Sequence, residues 1–417
     1  MKKKFWILLV LALLLVCAIS YIILDHTRTV AIDEAHFPDS AFREYMLTYD
    51  LDQDGKLSRE EIQKITYIGV ERKDIASLQG IEYLTELKNI SCSENKLTEL
   101  DISHNRKLER LLAYHNQLEK LDVSKNPELV YLMCEANRLT ELDVSRNWKL
   151  TSIQCSYNKL PELDVSKNTE LTHLECAGNQ LTAIDVSRNM KLTWLDCSLN
   201  RLTWLDIRDN AKLESLYCND NPFEEIDITY NPKLYQVDVS GHEVKNLNLS
   251  RYPDLITFLC DGCGLTELDV SKNPRLYQLS CSENQLTDLD LSQNPLMQYL
   301  DCANNRLTAL DLSQNPEMER IYCNGNPLTT LDISSCPQLL ERLNQAQTTE
   351  KDGVREWDIP KSPALNIWYH QFVLRIDTDV ELIKEPRNSR LHMILPDTHP
   401  TYERMQAEQQ ANLSAAV

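Results

Sequence analysis

The feature that most restricts this chain is a period of 21 residues. Cysteines stand at 92, 134, 155, 176, 197, 218, 260, 281, 302 and 323, so every interval is 21 or 42, and Ala113 and Val239 fill the two skipped places. Three residues after each stands an asparagine, from Asn95 to Asn326, with His242 and Cys263 as the exceptions. The unit reads L-x-x-L-x-C-x-x-N-x-L-T-x-L-D-V-S-x-N-P-x and runs twelve times over 87–338 without insertion or deletion. Its positions 1, 4, 6, 11, 14 and 16 are apolar. A unit of this kind cannot bury its apolar side alone; stacking on its neighbours does so. The pattern therefore dictates a solenoid.

Positions 3 to 7 alternate outward and inward, as a short strand does. Twelve parallel strands make a sheet about 55 Å long, at ~4.8 Å per strand. What remains of 21 residues is too short for a full helix behind each strand. The position-9 asparagine points inward, where its amide needs partners, and a ladder against turn backbone supplies them. Many cysteines in an exported chain invite disulfides. Parallel thiols stacked in one orientation, however, do not reach the ~90° torsion of a disulfide. They read as reduced core thiols, with Cys260 and Cys263 the pair nearest to an exception. Zinc is not indicated, since Cys260-x-x-Cys263 has no second pair and both positions face inward. Aspartates at position 15, from Asp101 to Asp332, read as caps of their own turns, helped by Ser two residues on.

With Cys at position 6 and L-T-x-L-D-V-S-x-N behind it, the unit resembles the leucine-rich repeat family, and within it the cysteine-ladder subclass of internalin-like bacterial surface proteins. The resemblance covers 87–338. It implies a curved, right-handed leucine-rich repeat solenoid with a concave parallel sheet and a short irregular or 3-10 convex side, used for recognition and not for chemistry.

Before the repeats, Asp50-Leu-Asp52-Gln-Asp54-Gly55-Lys56-Leu57-Ser58-Arg59-Glu60-Glu61 matches the twelve-residue calcium loop of an EF-hand. Asp50, Asp52 and Asp54 would give carboxylate oxygens, Lys56 its carbonyl, Ser58 a hydroxyl or bridging water, and Glu61 two oxygens; Gly55 permits the bend. Ca²⁺ is thus the expected cofactor. The bland alternative is a capping box, Ser58-x-x-Glu61, in an acidic turn without metal. Flanking helices are expected over 40–49 and 59–68, with Phe42, Met46, Ile62 and Ile65 inward, so 33–68 forms an EF-hand-like helical cap. A second calcium loop is lacking, which points to a structural ion. Ile75, Leu78, Ile81 and Leu84 mark a partial capping repeat over 69–86.

Lys2, Lys3 and Lys4 precede an apolar run to Leu24, so 1–24 is an export signal, either cleaved or retained as an anchor. In both cases the protein lies outside the cytoplasm, secreted or held at the membrane by its N-terminal segment. After 338 the period fails. Residues 339–383 read as a small β cap whose strands, 372–376 and 380–383, close as a hairpin. From 384 to 417 the chain is polar and reads as a flexible tail. Leu395-Pro-Asp-Thr398 is followed by His399, not the Gly that a sorting signal needs.

The sum of 43 basic and 63 acidic residues gives a charge of −20, which excludes nucleic acid as a partner. No HExxH, GxSxG or phosphate-loop motif marks an enzyme. His173 and Cys176 are close in sequence but face opposite ways. The outward strand positions offer Tyr131, His173, Trp194 and Tyr299 at position 3, and Met133, Tyr217 and Tyr322 at position 5, with Tyr114 just outside. Aromatics on a rigid surface anchor protein or sugar partners, although strands also favour aromatics for packing alone. A protein or glycan on another cell surface is therefore the expected partner.

Overall fold

The computed structural model describes residues 29–244, 247–358 and 372–385. The apolar segment 1–24 and the tail beyond 385 lie outside them. Among the described residues, no helix is long and apolar enough to cross a membrane.

Each repeat contributes one three-residue strand at positions 3 to 5, from Asn89–Ser91 in turn 1 to Arg320–Tyr322 in turn 12. They pair in parallel, each residue facing its counterpart 21 residues on, as Tyr131↔Ser152↔His173↔Trp194 shows. One sheet of sixteen strands results. Behind it the chain runs through turns, because 21 residues leave no room for a helix. Cys155, Cys176 and Cys197 are wholly buried on adjacent rungs, and every described cysteine is free. Cys260 and Cys263 are no exception. Their thiols donate to different carbonyls, Ser280 at 3.3 Å and Val239 at 3.4 Å.

Polar ladders hold the turns in register. Asn158 Nδ2 donates to the carbonyls of Cys134 (3.0 Å), Cys155 (3.0 Å) and Ser156 (3.3 Å), while its Oδ1 accepts from Leu139 N–H at 2.9 Å. A second ladder, of position-19 asparagines, lies on the far side of the core. Asn147, fully buried, donates to Val123 O at 2.9 Å and Asn126 O at 2.8 Å. The position-15 aspartates cap their own turns, Asp143 Oδ1 accepting from Ser145 N–H at 2.9 Å. Ion pairs at position 21 clip neighbouring turns on the outside: Lys107 with Glu86, Lys149 with Glu128, Lys191 with Glu170, and Arg275 with Asp254.

At position 8 all twelve residues, Glu94 to Gly325, have φ between 51° and 83°. Only four are glycine, although left-handed backbone costs an L-residue roughly 1–2 kcal/mol. The amide that this geometry directs outward bonds the next turn, as Tyr157 N–H does to Ala177 O at 2.7 Å. The adjacent position-9 amide fixes the same corner.

At the N-terminal end, Asp39 caps the helix Ser40–Met46, and its other oxygen accepts from Ala76 N–H at 2.8 Å, tying this segment to the solenoid. Phe37 lies over Gly80, where an added Cβ would come within 2.3 Å of its ring. The helix expected over 59–68 ends after one turn, Arg59–Ile62. Tyr67–Gly69 is already a strand, paired in parallel with Asn89–Ser91. The apolar needs of the open stack end override helical continuation there.

The C-terminal closure also differs from the expected hairpin. Phe372–Asp377 pairs in parallel with turn 12, and Glu381–Ile383 pairs in parallel with Thr330–Asp332. These two strands thus extend the solenoid by another rung and do not pair with each other. The true hairpin is Gln347–Lys351 with Val354–Asp358, antiparallel around Asp352-Gly353, both at positive φ. A helix, Pro337–Gln345, precedes it.

Candidate functional site

The outward side chains of the sheet gather into two groups. In turns 5 to 7 His173, Trp194 and Tyr217 form a continuous stack. The first two rings are 5.3 Å apart and 21° from parallel, and the next two are 5.4 Å apart. The parallel register places His173 beside Trp194, both at the third position, while Tyr217, at the fifth position and in register with Asp196, reaches the Trp194 ring diagonally. His173 Nε2 also meets Glu175 at 2.6 Å, and Gln154 at 3.3 Å. Two turns earlier Tyr131 takes the Arg110 guanidinium over its ring at 4.7 Å, and Met133 sits beside Gln154 in register. Tyr299 belongs to a separate group in turns 10 to 12, with Tyr277 at 5.1 Å and Arg320 at 5.2 Å. Tyr322 lies next to Asp301 and Arg375 in register. All seven are half-exposed, their apolar neighbours in the strand being buried.

Carboxylates line the same surface and crowd one another. Burial, and then the nearby Glu175, pushes Glu135 up to about 7. Burial, and then Asp261, pushes Asp238 and Asp301 up to about 6. Asp196 is raised as well, by burial, against the bonds that Ser198 donates. The same physics holds the thiols behind the sheet protonated: burial pushes Cys92 and Cys155 up to about 12. Cys176 is fully buried while His173 is half-exposed, so the two form no dyad.

In the N-terminal loop, oxygens of Asp50, Asp52 and Asp54 all lie within 4.8 Å of one another. Asp50 Oδ2 accepts from Gly55 N–H at 2.8 Å, which bends the loop around them. Lys56–Leu57 pairs antiparallel with Val30–Ala31, and Leu57 is buried. That pairing ties the loop to the chain that precedes it. Glu61 completes the capping box: its carboxylate accepts from Ser58 N–H at 2.8 Å, Ser58 Oγ at 2.7 Å and Leu51 N–H at 2.6 Å. Burial opposes its ionisation, but these bonds outweigh it and hold Glu61 below its ordinary value. Three acidic oxygens converging on one side of a loop, with Glu61 beside them, are a donor set that suits a hard cation.

No protein-family model matches the sequence, and no curated protein is similar to it. Solved structures are. The functional domain of InlJ from Listeria monocytogenes, which includes a cysteine ladder, is 35% identical over 75% of this chain and 74% of that one, with a TM-score of 0.68. A leucine-rich repeat protein of Leptospira interrogans is 21% identical over 64% of this chain and 81% of that one, with a TM-score of 0.55. The ectodomain of the plant receptor kinase GASSHO1/SCHENGEN3 from Arabidopsis thaliana, in complex with CASPARIAN STRIP INTEGRITY FACTOR 2, is 22% identical over 63% of this chain and 36% of that one, with a TM-score of 0.55. The latter two share the fold.

Proposed function

This chain belongs to the cysteine-ladder leucine-rich repeat proteins of the internalin type, and from that membership we propose that it is a cell-surface binding protein whose ligand is another protein, held on the open face of the sheet. The observation that carries this reading is the His173–Trp194–Tyr217 stack, three half-exposed rings fixed to a rigid sheet. Rigid aromatics lose little entropy on binding and provide large contact area, which is what anchor residues need. We read the protein as non-enzymatic: the thiols among the described residues are buried, and the one histidine in the stack is engaged with a carboxylate. Lys2, Lys3, Lys4 and the apolar run behind them support export. The test is a screen of secreted and cell-surface proteins and glycans against the full chain, beside a variant with Tyr131, His173 and Trp194 all changed to Ala. Capture by the parent and loss in the variant is the expected result; equal capture by both overturns the reading.

The same proposal gives the N-terminal loop a structural Ca²⁺, held by Asp50, Asp52, Asp54, the Lys56 carbonyl, Ser58 and Glu61. The ion would supply charge compensation to three crowded carboxylates and so stiffen the end of the solenoid. In this structure the Glu61 carboxylate accepts bonds from Ser58, Leu51 and Asp52, so holding the ion through both oxygens would require it to exchange some of these bonds for metal coordination. Titration calorimetry with calcium on the parent and on Asp50→Ala tests this: heat only in the parent supports the ion, and equal heats overturn it.

A further inference from the structure

Along the open face the acidic and basic residues are not mixed. At positions 3, 5 and 7 of turns 3 to 11 stand Glu135, Glu175, Asp196, Asp238, Asp261 and Asp301, with no lysine or arginine. Arg110 in turn 2 and Arg320 in turn 12 bound this stretch. Nine rungs span about 40 Å at ~4.8 Å each, the length of about twelve residues of extended chain. At the carboxyl ends of the strands in turns 7 to 10, the surface opens into a hollow of about 450 Å³ lined by Asp220, Asp261 and Glu283. Gly241 and Gly262 also line it, both with left-handed backbone and with open space where a Cβ would stand.

Two further features point to a ligand. The buried Nε1 of Trp194, on the same face, is without a hydrogen-bond partner. Leaving buried polar atoms unpaired costs free energy that a bound chain with its own donors and acceptors would recover. The second feature is the raised carboxylates: burial first, and neighbouring carboxylates after it, lift Glu135, Asp238 and Asp301, with Arg375 opposing the rise at Asp301.

We propose that the segment seated on this face is cationic: an extended stretch of protein rich in lysine and arginine, with its charged groups over Glu135, Asp238, Asp261 and Asp301 and in the hollow, and its intervening side chains against the His173–Trp194–Tyr217 stack. This rests on the reading that the open face is the docking surface. A cation fixed beside each carboxylate relieves the repulsion among them, and the sign of the face rejects nucleic acid, acidic glycans and anionic lipid.

The test uses the full chain and fluorescent twelve-residue peptides alternating Arg-Ser, Gln-Ser and Glu-Ser, read by anisotropy at pH 7.5. The Arg-Ser peptide is expected to bind saturably and the other two not at all. In a variant with Glu135→Gln, Asp238→Asn and Asp301→Asn, its affinity is expected to fall at least tenfold. These changes keep side-chain shape and remove repulsion, so the fold should survive, as circular dichroism would show. A control with Glu99→Gln, Glu119→Gln and Glu162→Gln, exposed residues off this face, removes equal charge and should change affinity less than twofold. Equal losses in the two variants, or equal binding of the Arg-Ser and Gln-Ser peptides, would overturn the proposal. If a partner captured in the screen is lost with Tyr131, His173 and Trp194 but kept by the charge-neutralised variant, the cationic proposal falls and the docking face stands. If both variants keep it, both fall.

Discussion

His242 replaces an asparagine of the ladder and stacks on Phe223, ring centroids 3.8 Å apart, with its Nδ1 2.8 Å from the Phe223 carbonyl oxygen. Its Nε2 reaches Cys218 O at 3.1 Å, the contact that Asn200 and Asn221 make one turn apart to Cys176 and Cys197. The imidazole thus bridges the ladder where the motif lapses. Replacing it by Ala should cost about 2–4 kcal/mol through lost stacking and orphaned carbonyls. Hydrogen exchange between turns 7 and 8 should rise with it, while His242→Asn recovers most of the loss. A fully protected His242→Ala variant would show that the ring only fills space.

Asn158 makes four bonds from one amide. Asn158→Ala leaves the Leu139 N–H and the carbonyls of Cys134 and Ser156 without this partner in a site closed to water. The expected loss is about 2–4 kcal/mol in urea unfolding. Asn158→Asp, which keeps the acceptor and loses the donors, should be no better.

The cysteine column should be chemically silent. Burial raises every described thiol, and the thiolate is the reactive form. Native protein should therefore not react with a thiol reagent at Cys92–Cys336 over hours at pH 8, and should react at all of them in 6 M guanidinium. Rapid native labelling of Cys155 or Cys176 would contradict the packing.

Glu135 stands near 7 in the fold, above its ordinary 4.5, with Glu175 and Tyr131 facing it. The folded state therefore holds this proton more tightly than the unfolded chain. Its favourable contribution is complete below about pH 4.5 and is lost as pH rises through 7. Glu135→Gln should thus stabilise the protein by about 1–2 kcal/mol at pH 8, a figure discounted for its partial exposure, and have little effect at pH 4. Equal effects at both, measured by urea unfolding, would refute the assignment.

Periodicity made the solenoid and its inner column legible because burial acts on each turn alike: one thiol and one position-9 amide per turn, every 21 residues. The second asparagine ladder stood in the same motif at position 19, but its burial becomes evident only once the turns stack. Position 8 offered no signal, since Leu199 and Tyr157 take a backbone that favours glycine, and a tertiary hydrogen bond decides it. Asp352-Gly353 was a readable hairpin signal, hidden in a stretch that otherwise looks like polar linker. The parallel closure by 372–383 was not readable at all, because a strand's polarity relative to its neighbour depends on where the intervening chain travels. On the sheet face, residue types were legible from alternation. The stack of His173, Trp194 and Tyr217 needed the register.

Hydroxyl-radical footprinting of the full chain, alone and with a partner captured in the screen, tests the docking face most directly. Protection should fall on Tyr131, His173, Trp194 and Tyr217, while Trp148 and Trp204, 56% and 50% exposed away from the sheet strands, keep their oxidation rates. Protection of Trp148 and Trp204 with the stack unchanged would contradict the account.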